Sequence, residues 1–110
     1  MKKKIYYGLA VYDKKEIRAV NRVLTQNKLT LIDGPSVKLF EKKIASLFGK
    51  KYGLMVNSGS SANLLALASL KLRKNSEVIT PTLTFSTTVA PIYQLGLIPC
   101  FVDVEINKFI

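Results

Sequence analysis

The chain contains no histidine, a single cysteine and only 7 acidic residues among its 110. Each shortage removes a class of chemistry. Without histidine the usual general base near neutral pH is gone, and with it the commonest metal ligand. Cys100 stands alone, so no internal disulfide forms, and one thiol with no imidazole is too few ligands for an ordinary zinc site. A lone cysteine fits a reducing compartment. No run approaches the roughly 20 apolar residues needed to cross a bilayer. The basic opening Met1-Lys2-Lys3-Lys4-Ile5 is not followed by the apolar stretch of a secretory signal. These absences predict a soluble, cytoplasmic chain with no membrane partner.

Apolar residues make up 48% of the sequence, enough for a real core and too many for a disordered chain. The length allows at most one small domain. The net charge is +10, from 17 basic against 7 acidic residues. Such an excess suits an anionic partner: nucleic acid, an anionic membrane surface or a phosphorylated substrate. The placement argues against a nucleic-acid face. Lysines come in short groups at helix ends and on polar faces, and none alternates with aromatics as a base-stacking surface requires. They read as solvated faces. A basic, non-catalytic anion- or nucleic-acid-binding module, complete at 110 residues, is the rival of another class, and a steep fall of affinity with salt would mark it.

Periodicity predicts the elements. Asp13 with Glu16 forms a capping-box pattern that opens a first helix, with Ile17, Val20 and Leu24 on one face. Residues 26–33 read as a loop. Gly34-Pro35 opens a second helix lined by Val37, Phe40, Ile44 and Leu47 and stopped at Gly49. The period then changes: Tyr52 to Val56 reads as a buried strand, residues 57–61 as a polar turn, and Ala62 to Leu72 as a buried helix. The cations Arg73 and Lys74 suit its negative end. A strand at Val78 to Thr80, a helix at Ser86 to Leu95 kinked or delayed by Pro91, and a strand at Ile98 to Val104 follow. Alternating strands and helices mean an α/β layer with a mostly parallel sheet and flanking helices. Three strands leave such a sheet with open edges and faces, so the chain reads as cut from a longer domain.

Two places invite chemistry. Ser58-Gly59-Ser60-Ser61 joins a strand to a helix start, where unpaired N–H groups and the helix dipole favour an anion. Gly59 permits close backbone approach, and the hydroxyls of Ser60 and Ser61 add donors. Helix capping and phosphate binding both suit this run. It matches neither the glycine-rich loop ending in Gly-Lys nor the dinucleotide fingerprint. Thr82 to Phe85 follows the second strand at the carboxyl edge, where α/β sheets place ligands. Phe85 suits either a core position or a stack on a flat ring. Asp103 reads as a turn residue and Cys100 as a small core residue.

Taken in order, Val56 to Leu67, Glu77 to Pro81, Thr84-Phe85, Gly96 and Pro99 to Val104 resemble the DegT/StrS family of pyridoxal-phosphate (PLP) sugar aminotransferases. Leu29-Thr30, Gly34-Pro35, Phe40-Glu41 and Phe48 to Tyr52 resemble the family's opening region. The resemblance implies the N-terminal part of an aspartate-aminotransferase-like (fold type I) PLP domain. Residues 1–34 would be an arm and first helix, and residues 35–110 the start of the large PLP-binding domain. Ser60 and Ser61 would hold the phosphate of pyridoxal 5'-phosphate, with Gly59 shaping the turn and Phe85 stacking on the ring. The implied partners are a nucleotide-sugar substrate, an amino donor and a second subunit in a homodimer. The implied reaction passes an amino group, normally from glutamate, to a keto group of the sugar, for lipopolysaccharide, capsule or antibiotic sugars. Residues 57–65 and Thr87-Thr88-Val89 look like the branch of sugar 3-dehydrases, in which histidine replaces the lysine that binds the cofactor. Pro81 to Thr84 look like ordinary aminotransferases. No lysine here stands at the family's cofactor-binding position, so the 110-residue chain alone is expected to lack transaminase activity. Incubation with PLP and glutamate should release no more 2-oxoglutarate than PLP alone does.

Overall fold

Residues 4–26 and 31–108 are described by the computed structural model of the chain. Contacts divide them into two units that meet between Met55 and Val56. The expected pair Leu29-Thr30, and most of the loop expected over residues 26–33, lie outside the described residues.

The first unit holds two helices. The helix α1 spans Lys14–Gln26. Its start is the reciprocal arrangement expected: the Asp13 amide donates to Glu16 Oε2 at 2.8 Å, and the Lys15 amide donates to Asp13 Oδ1 at 2.6 Å. Ile17, Val20 and Leu24 form an apolar stripe that stays exposed. The helix α2 spans Pro35–Leu47 with Gly34 as N-cap. It ends in a Schellman closure. Gly49 takes a left-handed φ of 61°, its amide donates to Ser46 O, and the Lys50 amide donates to Ala45 O. Ala45 is the apolar residue that this helix buries.

The stretch Tyr52 to Val56, expected as a strand, pairs with no strand among the described residues. A strand exists by the ladder it shares, and the partner here is a side chain: the Met55 amide donates to Glu41 Oε1 at 2.7 Å. Gly53 lies so close to α2 that a Cβ on it would sit 2.7 Å from the Glu41 carbonyl oxygen.

The second unit is a helix followed by a strand–helix–strand unit. The helix α3 spans Gly59–Ser69, β1 Glu77–Pro81, α4 Ser86–Gln94 and β2 Ile98–Val102. The strands pair in parallel with Glu77 opposite Ile98, Ile79 opposite Cys100 and Pro81 opposite Val102. The parallel α/β arrangement is as expected, with two strands among the described residues rather than three. Thr80 is 3% exposed and Ile79 is 74% exposed, so one face of the sheet is covered and the other open. Pro91 and Ile92 of α4, with Leu97 just beyond it, form the buried centre. Pro91 sits inside α4 without ending it. The helix closes as α2 does: Gly96 has a φ of 68°, its amide donates to Tyr93 O, and the Leu97 amide donates to Ile92 O.

Three expectations change around α3. The run Gly59-Ser60-Ser61 belongs to the helix's first turn rather than to a loop before it, because Ser58 already caps it. The helix is not buried: Leu65 and the C-cap residue Leu70 stand exposed, since an apolar surface all round needs cover on every side. Arg73 and Lys74 lie beyond its end at Ser69, after a turn at Lys71 with a φ of 49°.

Because Gly53 has no room for a side chain, Gly53→Ala should force the Glu41 backbone away and destabilise the intact protein by about 1 to 3 kcal/mol. A lowered urea midpoint at unchanged slope would register it.

Candidate functional site

The site expected from the sequence forms at the start of α3. Ser58 is extended, with φ −160° and ψ 159°, which turns its side chain back over the first turn. Its Oγ accepts the Ser61 amide at 3.1 Å and also lies 3.1 Å from Ser61 Oγ, while its carbonyl accepts the Ala62 amide. Those bonds use the amides of Ser61 and Ala62. The amides of Gly59 and Ser60 have no partner among the described residues. They point out of the positive end of the helix dipole, where an anion gains about 0.3 to 1 kcal/mol before any hydrogen bond is counted. A Cβ placed on Gly59 would meet nothing within 4 Å, so the space beside these amides is open to an incoming group.

An open cleft of about 210 Å³ lies beside this turn. Ser60, Ser61 and Leu64 of α3 line one side, and Thr87, Ala90, Pro91 and Gln94 of α4 the other. Ser60 and Ser61 are the site residues expected from the sequence; Thr87 and Gln94 join them only in the fold. The signal was present in their spacing. Thr87, Pro91 and Gln94 fall at i, i+4 and i+7, one face of a helix. Which helix that face meets is not written in the local sequence.

Phe85 is the N-cap residue of α4 and is 67% exposed. It lies two residues before Thr87 and is not among the residues lining the cleft. Its side chain makes no capping bond; Thr84 Oγ1 and Thr88 Oγ1 meet at 3.1 Å instead. Thr82 fixes the loop before Phe85 by donating twice to the Val102 carbonyl, from its amide at 2.8 Å and its hydroxyl at 3.0 Å. Asp103 accepts the Val104 amide at 2.9 Å, the local turn role expected of it. Cys100, expected in the core, is exposed, because its partner across the ladder, Ile79, lies on the uncovered face.

The residues present suit the phosphate end of PLP. The two open amides and the hydroxyls of Ser60 and Ser61 are all donors, as a phosphate dianion requires, and no carboxylate lines the cleft. An exposed aromatic ring near the start of the neighbouring helix suits a flat heterocycle. Among the described residues no cluster of histidine, cysteine, aspartate or glutamate is able to hold a metal. No helix there is long and apolar enough to cross a membrane.

A parallel strand–helix–strand unit with a donor-rich helix start at its rim is the build of α/β domains that take phosphorylated ligands. The sequence profile of the DegT/DnrJ/EryC1/StrS aminotransferase family matches residues 11–110, and the chain belongs to that family. It is 43% identical over 102 residues to a GDP-4-keto-6-deoxy-D-mannose 3-dehydratase of Yersinia pseudotuberculosis, covering 87% of this chain and 25% of that one. Among solved structures it resembles the Escherichia coli GDP-4-keto-6-deoxy-D-mannose-3-dehydratase with bound hydrated PLP, at 40% identity and a TM-score of 0.81. That match covers 92% of this chain and 27% of the other. It also resembles an aminotransferase from Psychrobacter cryohalolentis, at 28% identity and a TM-score of 0.79, covering 92% and 26%. The chain thus spans about a quarter of the length of these relatives. The α/β fold is that of the fold type I PLP enzymes, and PLP is the cofactor of the family.

Proposed function

We propose that the intact protein is a PLP-dependent enzyme acting on a nucleotide-linked 4-keto sugar, and that this chain supplies the phosphate grip and ring stack of its cofactor site. The observation that carries the reading is the pair of open amides at Gly59 and Ser60, set beside two serine hydroxyls on an uncovered helix start. Ser60 and Ser61 donate to the phosphate, and Gly59 keeps the approach clear. Phe85 lies against one face of the ring and shields it from water. When bound, PLP supplies an electron sink beside the reacting carbon of the sugar. Residues 35–110 form the start of the large domain, and the enzyme works as a cytoplasmic homodimer on its nucleotide sugar and an amino donor.

Within this class the 3-dehydratase reading is preferred over the aminotransferase expected from the sequence. Shape does not separate the two, since the TM-scores are 0.81 and 0.79. What supports the preference is identity, 43% and 40% to two dehydratases against 28% to the aminotransferase. The aminotransferase reading keeps one specific support, the likeness of Pro81 to Thr84 to that branch.

Borohydride treatment of the intact holoenzyme discriminates between them. A lysine-based aminotransferase keeps PLP covalently after reduction and unfolding, whereas an enzyme with histidine at that place releases it. The site assignment has its own test. Ser60→Ala combined with Ser61→Ala should raise the PLP dissociation constant at least about tenfold, because hydrogen bonds to charged groups contribute about 1.5 to 3 kcal/mol each. Unchanged cofactor affinity in that double variant removes the phosphate-site assignment.

A further inference from the structure

The helix α4 has a defect that its neighbour repairs. In an α-helix the carbonyl of each residue accepts the amide N–H four residues later. For Thr87 that residue is Pro91, which has no N–H to give. Nδ2 of Asn63 from α3 is aimed at the Thr87 carbonyl instead, at 3.5 Å, a weak contact longer than the usual range of about 2.7 to 3.2 Å. Asn63 is the only amide side chain in an eleven-residue helix otherwise made of glycine, alanine, leucine and serine. It lies one turn after Gly59 and so shares a face with the start of the phosphate turn. Thr87 lies two residues after Phe85, in the first turn of α4.

We propose that Asn63 is a positioning residue: by bonding the carbonyl that Pro91 leaves without its helical donor, it fixes the Ser60-Ser61 turn relative to Phe85. The proposal rests on the reading that this turn holds the PLP phosphate. Phosphate grip and ring stack come from different helices, and one cofactor must satisfy both. A small slide of α3 along α4 would keep either contact and lose the other. Asn63 ties the two helix starts together at the level of the site, and it does so through a carbonyl that an unbroken helix would not offer.

A double-mutant cycle in the intact protein tests this. Asn63→Asp keeps the size of the side chain and replaces its donor with an acceptor. Pro91→Ala restores an N–H that bonds Thr87 within α4 and makes the Asn63 donor redundant. Asn63→Asp should raise the PLP dissociation constant about threefold to tenfold in the Pro91 background, as expected for one lost hydrogen bond, and change the circular dichroism of the bound cofactor. In the Pro91→Ala background the same substitution should have a markedly smaller effect on both. Asn63→Ala, measured beside it, should resemble Asn63→Asp, since the donor and not the volume is at issue. Equal effects in the two backgrounds overturn the proposal. So does an unchanged PLP affinity and spectrum with only a lowered melting temperature, which would make Asn63 merely structural. If the Ser60 and Ser61 variants weaken PLP binding while the Asn63 variants do not, this proposal alone falls. If neither set does, the phosphate reading falls and takes the proposal with it.

Discussion

Parallel pairing of Glu77–Pro81 with Ile98–Val102 is the constraint from which the second unit follows. Two parallel strands cannot be joined by a tight turn, so the chain must cross from the end of one to the start of the other. The helix α4 is that crossover, and it buries Pro91 and Ile92. The same crossover delivers Phe85 to the carboxyl rim of the strands. Thr82 holds that delivery in place, since both of its donors reach the last carbonyl of β2. Pairing of the strands thus decides where the aromatic residue emerges.

The start of α3 shows how capping and ligand binding are divided within one turn. A helix leaves four amides without intrahelical partners. The Ser58 hydroxyl satisfies one of them, the Ser61 amide, while its carbonyl accepts the Ala62 amide as the first bond of the helix; the amides of Gly59 and Ser60 remain for something else. Capping and anion binding, which the sequence presents as competing roles for one serine-rich run, are therefore assigned to different residues. Ser58 closes the helix, and Gly59 and Ser60 present what is left. The strongly basic composition contributes little here. No lysine or arginine lines the cleft, and any anion held there would be held by neutral donors and the dipole.

Local signals were legible wherever the deciding atoms lie within a few residues of each other. The Asp13–Glu16 reciprocal cap, the proline-first start of α2 and the glycine stop at Gly49 all depend on short-range geometry, and each is found where the sequence puts it. What the sequence misjudged depends on distant partners. Tyr52 to Val56 is apolar enough for a strand, yet no ladder exists for it among the described residues. Cys100 and Leu65 have the composition of a core, and both stand exposed among the described residues. Pro91 reads from sequence as a kink or a late start within a helix, and that helix is found. The side chain that approaches the carbonyl left without its helical donor comes from another helix, 24 residues earlier in the chain, and is not legible locally.

The exposure of Cys100 has a practical side. It is the only thiol in the sequence, and it lies on the uncovered face of the sheet opposite Ile79 in the ladder. A polarity-sensitive fluorophore attached there needs no engineered site. Its emission would report, during assembly of the intact protein, the moment at which that face loses contact with water.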